Sequence, residues 1–207
     1  MQVRINPWNE NSKNEIETSL EYGAQYIMLP MWKTVDEVKN FLDIVNGRAK
    51  TILLLETKEA EECLDQVLKL DNLCEIHIGL NDLHLSYHLQ FMFELLTNGT
   101  VERIVNKIKK RNIPFGFGGV SHLGDGIIPA EMIIAEHYRL GSTRAILSRG
   151  FCQVTPDYPT FKETFIKNLK DLREQEDKCA LFTEKDFESN KQNIETIVKN
   201  YVEKKHE

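Results

Sequence analysis

Two short apolar runs, each followed by an acidic residue, decide the fold that this sequence predicts. Residues 51–56 read Thr-Ile-Leu-Leu-Leu-Glu, and residues 75–82 read Glu-Ile-His-Ile-Gly-Leu-Asn-Asp. The segment between them, residues 60–70, has the apolar spacing of an amphipathic helix. A strand, a helix and a second strand in this order form a parallel pair, and the unbroken first run predicts a strand that is buried on both faces.

The same alternation continues in both directions along the chain. We predict six strands, at residues 3–6, 26–30, 49–56, 75–79, 114–119 and 144–148. Helices are predicted between them, at residues 12–22, 35–45, 60–70, 101–111 and 130–138. Six such βα units fit either an open doubly wound sheet or part of an eight-stranded (β/α) barrel, and the alternation alone favours neither.

Two helical segments with sharp apolar stripes close the sequence. One stripe consists of Phe161, Phe165, Leu169 and Leu172, and the other of Ile194, Ile197, Val198 and Tyr201. We predict that residues 1–178 form a partial barrel that includes its last helix, and that residues 179–207 form a helical extension. Periodicity does not distinguish stripes that cover the barrel from stripes that dock on a second subunit.

The composition excludes several classes of protein. The chain has 207 residues, 41% of them hydrophobic and 28% charged, which suffices for one sizeable core. Its net charge of -6 and its scattered lysines and arginines argue against a nucleic-acid partner. No apolar run approaches the roughly 20 residues that cross a bilayer, so we expect no membrane partner and a cytoplasmic location. The four cysteines form no CxxC pair and are expected to be free thiols.

Glu56 and Asp82 are the candidate metal ligands. They follow two consecutive strands and are 26 residues apart, so both carboxylates should lie at the same rim of the sheet. Neighbouring carboxylates repel each other, and a hard divalent cation such as Mg²⁺ or Mn²⁺ relieves that repulsion. The alternative is that Glu56 pairs with Lys33 or Lys58. Asp82 would then cap a helix that begins at Leu83.

Arg4, within the first predicted strand, is the candidate substrate-binding residue. If it points inward it needs an anionic partner, for which a substrate carboxylate bound in bidentate fashion is suitable, and otherwise it is an exposed strand arginine. His84 and His88 lie close to Asp82 in the sequence, but histidines in a connection are usually solvated, so we assign them no catalytic role.

Four segments of the chain carry a resemblance to a known family. In order they read Val-Arg-Ile-Asn-Pro at residues 3–7, Gly-Ala-Gln-Tyr-Ile-Met-Leu-Pro-Met at 23–31, Leu-Glu-Thr at 55–57 and Ile-Gly-Leu-Asn-Asp-Leu at 78–83. Each segment alone is weak, whereas the ordered set with βα spacing is fairly specific. The set resembles the HpcH/HpaI aldolase and citrate lyase family over most of the chain.

The resemblance implies a (β/α)8 TIM barrel in which Glu56 and Asp82 hold Mg²⁺ or Mn²⁺, and in which Arg4 is catalytic, binding and polarising a pyruvate-like carbonyl. Gly79 and Asn81 would shape the floor beside the metal and contact the substrate. The implied activity is that of a class II aldolase-like carbon–carbon lyase, acting on a 2-oxo acid or an acyl-CoA adduct through a metal-stabilised enolate. Family members often exchange their last helix between subunits, so the resemblance also implies a homo-oligomer.

Two departures from the family pattern accompany the resemblance. By this alignment Arg4 belongs to the third strand, so the first two βα units would be absent, together with a histidine that many of the aldolases use with a metal-bound water as base. Leu54 stands where several pyruvate aldolases of the family carry glutamine, so the identity of the substrate stays open.

Two other functions remain compatible with the sequence. One is a non-catalytic truncated barrel that binds a metal or a carboxylate ligand, or that serves as an interaction subunit. The other is a phosphate-binding barrel enzyme such as an isomerase, which rests only on the glycines near Gly118. These glycines lack the spacing of a phosphate loop and predict a tight turn at the rim.

Overall fold

The computed structural model describes residues 1–152 and 157–205 and follows the predicted alternation of strands and helices. The strands are β1 (Gln2–Arg4), β2 (Tyr26–Leu29), β3 (Lys50–Leu55), β4 (Glu75–Ile78), β5 (Phe115–Val120) and β6 (Arg144–Leu147). The helices are α1 (Ser12–Glu21), α2 (Val35–Val45), α3 (Lys58–Val67), α4 (Leu80–Ser86), α5 (Glu94–Thr97), α6 (Thr100–Lys109), α7 (Ala130–Leu140), α8 (Tyr158–Cys179) and α9 (Glu184–Lys204).

The order of the strands decides between the two architectures that the sequence leaves open. Within the described residues, the sheet has six strands in the order β1-β2-β3-β4-β5-β6, which is their order along the chain. The first four pair in parallel, with Arg4 opposite Met28, Met28 opposite Ile52, and Leu54 opposite His77. A doubly wound sheet reverses its strand order at a switch point, whereas barrel strands follow one another. The barrel class of fold is therefore confirmed.

The chain divides into two compact units, residues 1–116 and residues 117–207. The first unit contains β1 to β4 and α1 to α6, and the second contains most of β5, β6 and α7 to α9. The extension predicted at residues 179–207 begins at the last residue of α8 and includes α9, and its final two residues lie outside the described part. Its status as a separate domain stays a prediction.

Both faces of the sheet are buried in the first unit. On one face Met28, Ile52 and Leu54 form an apolar cluster, with Tyr26 packed against it. Because side chains alternate along a strand, the residues between them point to the other face. That face presents six fully buried side chains, which are Ile27, Leu29, Leu53, Leu55, Ile76 and Ile78. Burial on both faces explains why these strands are apolar at nearly every position.

Helix α2 shows how the sequence determines the helices of this unit. The Thr34 side chain accepts a hydrogen bond from the Glu37 N–H, and the Glu37 side chain accepts one from the Thr34 N–H, which is a capping box. The helix ends at Asn46, which adopts the left-handed conformation common at helix ends. Its bounds coincide with the predicted residues 35–45.

The predicted and observed bounds differ most in the connection after β4. Helix α4 begins at Leu80, with Gly79 as its N-cap residue, and not at Leu83. Asp82 therefore lies in the first turn of α4, and the interpretation that it caps this helix is wrong. The rest of the connection contains the short α5 and an edge-on contact between the rings of Phe91 and Phe93.

The second unit is mainly helical. Helix α7 contacts both α8 and α9. Leu172 of the α8 stripe is buried, as are Ile194 and Val198 of the α9 stripe, whereas Phe161 is exposed. The buried residues of each stripe thus pack within this unit. In contrast, all four residues of β6 are exposed. No helix in the described part of the chain is long and apolar enough to cross a membrane.

Candidate functional site

A pocket of about 310 Å³ lies beyond the carboxyl ends of the first strands. It is lined by Arg4, Ile5, Asn6, Pro7, Pro30, Met31, Glu56 and Asp82. Arg4 is the last residue of β1, Glu56 directly follows β3, and Asp82 lies in α4 after β4. The structure therefore brings together three of the residues that were predicted from the sequence.

Glu56 is the buried carboxyl group of this pocket. Its side chain is 4% exposed, and the Met31 N–H donates a hydrogen bond to its Oε1 at 3.0 Å. Burial raises the pKa of Glu56 to about 7, the hydrogen bond from Met31 opposes that rise, and the charge of Asp82 adds to it. Near neutral pH this carboxyl group is therefore balanced between its two protonation states.

Asp82 and Arg4 act on Glu56 in opposite directions. Asp82 is exposed, and both its charge and a side-chain hydrogen bond raise the pKa of Glu56. Arg4 is exposed as well, and its positive charge lowers that pKa. Asp82 and Arg4 are thus both close enough to Glu56 to shift its pKa.

Lys33 and Lys58, which could have neutralised Glu56, pair with other residues. Lys33 Nζ lies 3.5 Å from a carboxylate oxygen of Glu59, and Lys58 Nζ lies 3.8 Å from one of Glu62. The alternative in which one of these lysines forms an ion pair with Glu56 is therefore wrong.

Gly79 leaves room for the Glu56 side chain. A Cβ atom at this position would lie 2.8 Å from Glu56 Oε2 and 3.0 Å from Glu56 Cβ, closer than non-bonded atoms approach. A larger residue would therefore displace the carboxylate. Asn81, which the resemblance placed beside Gly79, is exposed and is not among the residues that line the pocket.

Met31 and Thr57, which lie in the segments that carry the resemblance but were given no role there, contact this region. Met31 has a φ of 52°, the left-handed conformation that is uncommon for a non-glycine residue. Thr57 caps α3 by accepting a hydrogen bond from the Ala60 N–H, and its hydroxyl donates to the Trp32 carbonyl oxygen at 2.8 Å. A threonine before acidic first-turn residues is an N-cap signal that could have identified Thr57. No sequence signal marks the conformation of Met31.

The environment of His84 differs from the one that we predicted. It is 9% exposed, and its buried Nδ1 has no hydrogen-bond partner within the described residues. The prediction of a solvated side chain is wrong because the early start of α4 buries His84 together with Leu80 and Leu83. His88 is exposed.

The donor atoms of the pocket are suited to a hard divalent cation. Across residues 1–152 and 157–205, no group of three or more His, Cys, Asp or Glu side chains is placed to hold a metal. A site at Glu56 and Asp82 would thus offer two carboxylates, which is typical of Mg²⁺ sites, where water and substrate oxygens complete the coordination. The raised pKa of Glu56 beside Asp82 also reflects a repulsion that a cation would relieve.

A larger cavity, of about 660 Å³, lies in the second unit among residues of α7, β6 and α8. Its charged lining includes Arg173 and Glu176, which pair with each other at 2.5 Å. None of the predicted site residues lines it.

Comparisons with known proteins identify the fold. No family model matches the sequence, and no curated protein matches it. Among solved structures, an HpcH/HpaI aldolase/citrate lyase family protein from Burkholderia cenocepacia matches 83% of this chain and 73% of its own, with a TM-score of 0.58 and 14% identity. RipC from Yersinia pestis matches 79% of this chain and 75% of its own, with a TM-score of 0.60 and 15% identity. The predicted resemblance is therefore confirmed at the level of the fold.

Proposed function

Since this chain has the fold of an HpcH/HpaI aldolase/citrate lyase family protein, we propose that it is a divalent-metal-dependent carbon–carbon lyase. Its substrate would be a 2-oxo acid of the pyruvate type or an acyl-CoA adduct. The observation that carries the proposal is the pocket at the strand ends that is lined by Arg4, Glu56 and Asp82 together.

Glu56 and Asp82 would hold Mg²⁺ or Mn²⁺. The buried Glu56 offers Oε2, because Oε1 accepts the hydrogen bond from the Met31 N–H. Asp82 is exposed and lies in the first turn of α4, where it can reach the same cation from the solvent side. A bound cation would act as a Lewis acid on the carboxylate and carbonyl oxygens of the substrate.

Arg4 would bind the substrate and stabilise the charge that develops on it. In the cleavage direction, the adduct loses its hydroxyl proton to water and its carbon–carbon bond breaks, which releases a carbonyl product and leaves an enolate that regains a proton from water. The electron pair of that bond is delocalised on to the carbonyl oxygen of the remaining 2-oxo acid. A guanidinium group at the pocket favours this negative charge more strongly than it favours the neutral adduct.

The rest of the pocket favours a small substrate. The lining also includes four residues with apolar atoms, which are Ile5, Pro7, Pro30 and Met31. This surface suits a short aliphatic portion of the substrate and reduces the access of water to the reacting carbon.

Titration of the protein with Mn²⁺, followed by electron paramagnetic resonance, tests the proposed metal site. We expect the wild type to bind Mn²⁺, and Glu56→Gln and Asp82→Asn each to bind it at least about tenfold more weakly. Glu59→Gln is the matched control, because Glu59 is an exposed acid that pairs with Lys33. Equal affinity in the wild type and Glu56→Gln would exclude this site.

A further inference from the structure

Two hydrogen bonds tie the loop after β2 to the loop after β3 at consecutive positions. The Met31 N–H donates to Glu56 Oε1 at 3.0 Å, and the Thr57 hydroxyl donates to the Trp32 carbonyl oxygen at 2.8 Å. Thr57 is 2% exposed and Trp32 is fully buried. Water therefore competes little for the second bond, which keeps its strength.

The backbone at Met31 needs such support. Its φ of 52° is unfavourable for a side chain with a Cβ atom, and this conformation persists only where surrounding contacts enforce it. The Trp32 carbonyl that Thr57 holds belongs to the residue directly after Met31. Thr57 thereby restricts the backbone next to Met31, whose N–H donates a hydrogen bond to Glu56.

The orientation of the Glu56 carboxylate follows from this arrangement. Oε1 is engaged by the Met31 N–H, and Oε2 lies beside Gly79, so close that a Cβ atom there would be 2.8 Å away. Rotation of the carboxylate would break the hydrogen bond from the Met31 N–H. Oε1 is thus held by the backbone, and Oε2 is the oxygen that would bind a ligand.

We propose that Thr57 is a positioning residue for the cation site: by holding the Trp32 carbonyl, it keeps the Met31 N–H on one oxygen of Glu56 and presents the other oxygen to the metal. This inference rests on the proposed function for the identity of the ligand. The geometry that it describes exists without the metal, so it can be measured separately.

The test compares Thr57→Val, which removes the hydroxyl, with Thr57→Ser, which retains it. We expect Thr57→Val to bind Mn²⁺ about ten- to a hundredfold more weakly, as for other partners that orient a metal ligand, and Thr57→Ser to bind it nearly as well as the wild type. Thr34→Val is the matched control, because Thr34 caps the neighbouring helix α2. It should lower stability without a change in Mn²⁺ affinity.

Hydrogen exchange at the Met31 amide, followed by NMR in the metal-free protein, provides a second readout. Thr57→Val should speed this exchange at least about tenfold relative to the wild type, while Thr57→Ser and Thr34→Val should not. If Thr57→Val does not fold, Thr57→Ala replaces it, since it also removes the hydroxyl that donates to the Trp32 carbonyl oxygen and should weaken Mn²⁺ binding in the same way.

The outcomes separate this inference from the proposed function. Unchanged Mn²⁺ affinity together with unchanged Met31 exchange in Thr57→Val overturns the role of Thr57. A wild type that binds no Mn²⁺ overturns the proposed function, and the amide exchange then decides alone whether Thr57 positions Glu56.

Discussion

Glu56 is buried, and three neighbouring groups shift its pKa. Burial and Asp82 raise its pKa, while the Met31 N–H and Arg4 lower it, and the balance leaves the pKa at about 7. A carboxyl group buried at a strand end without a neutralising partner is costly for the fold, unless it is protonated or binds a cation. This cost is the physical reason to associate Glu56 with function.

The metal-free protein should lose stability as the pH rises from about 4.5 to about 7. The pKa of Glu56 is about 7 in the folded protein against an ordinary value of 4.5, so the native state binds more protons than the unfolded state in this interval. Its contribution to stability therefore declines until the pH passes the folded-state pKa. Urea unfolding at several pH values should show this decline in the wild type and a weaker one in Glu56→Gln. An identical decline in both proteins would contradict the assignment.

Gly79→Ala should weaken Mn²⁺ binding by roughly tenfold, because the added Cβ atom would lie 2.8 Å from Glu56 Oε2 and displace the carboxylate. The control is Gly119→Ala, where the added atom would meet nothing closer than 3.4 Å. Titrations of both variants measure the difference. Equal affinities in the two variants would show that the space at Gly79 is unimportant for the site.

The sequence identified the charged residues of the pocket, but it did not predict the conformation of the backbone around them. Glu56 and Asp82 were predictable because acidic residues that follow the ends of consecutive parallel strands lie at one rim. The role of the Met31 N–H was not, because it depends on a positive φ that a methionine rarely adopts. The burial of His84 depends on where α4 starts, which the sequence placed too late.

Helix α4 is the element most important for the candidate site, because it contains Asp82. A network of buried hydrogen bonds connects α4 to α3 and α6. Glu61 of α3 is buried and accepts a hydrogen bond from Arg103 Nε of α6 at 2.7 Å. The hydroxyl of Tyr87, at the end of α4, also donates to Glu61. Burial and Glu61 raise the pKa of Tyr87 to about 12, so its hydroxyl remains a donor at physiological pH. Three helices thus meet at one carboxylate.

Tyr87→Phe should destabilise the protein by about 1 to 3 kcal/mol, since it removes a hydrogen bond to a buried charged group. Lys107→Ala is the control, because Lys107 of α6 forms an exposed ion pair with Asp65, another acidic residue of α3. It should cost less than about 1 kcal/mol. Urea unfolding measures both changes, and an equal loss in the two variants would contradict the importance of the network.

The order and type of the elements were predictable, whereas several of their ends were not. Apolar runs alternating with amphipathic segments identified the six strands of the described residues, and β2, β3 and β4 have the clearest runs because both of their faces are covered. The start of α4 was missed because the sequence rules look for a polar N-cap side chain, and the N-cap here is Gly79, which has none. The doubly wound alternative could be excluded only from the strand order itself.

For the molecule as a whole, the exposed strand β6 is the feature that suggests association. Arg144, Ala145, Ile146 and Leu147 are all exposed, and β6 lies at an end of the strand order. An exposed apolar edge strand is a site for pairing with another chain. The homo-oligomer expected from the resemblance stays a prediction, for which this surface is the place to look.

Ile146→Lys should reduce self-association, because a charge on an edge strand opposes pairing with a second copy. Sedimentation velocity over a range of concentrations measures this change, and the unfolding midpoint of the wild type should rise with concentration in parallel. Leu85→Lys is the control, since Leu85 is an exposed apolar residue of a helix, α4, and not of a strand. A wild type that is monomeric at every concentration, with a constant midpoint, would contradict the prediction.

We propose that Arg4, Glu56 and Asp82 form a site at which a 2-oxo acid loses a proton or a carbon–carbon bond next to its carbonyl group. Exchange of deuterium from solvent into the methyl group of pyruvate, followed by NMR, is the first experiment to make, because this exchange is independent of the second substrate. We expect exchange by the wild type that requires Mg²⁺ or Mn²⁺ and is lost in Glu56→Gln. Exchange without added metal, or exchange that persists unchanged in Glu56→Gln, would contradict this proposal.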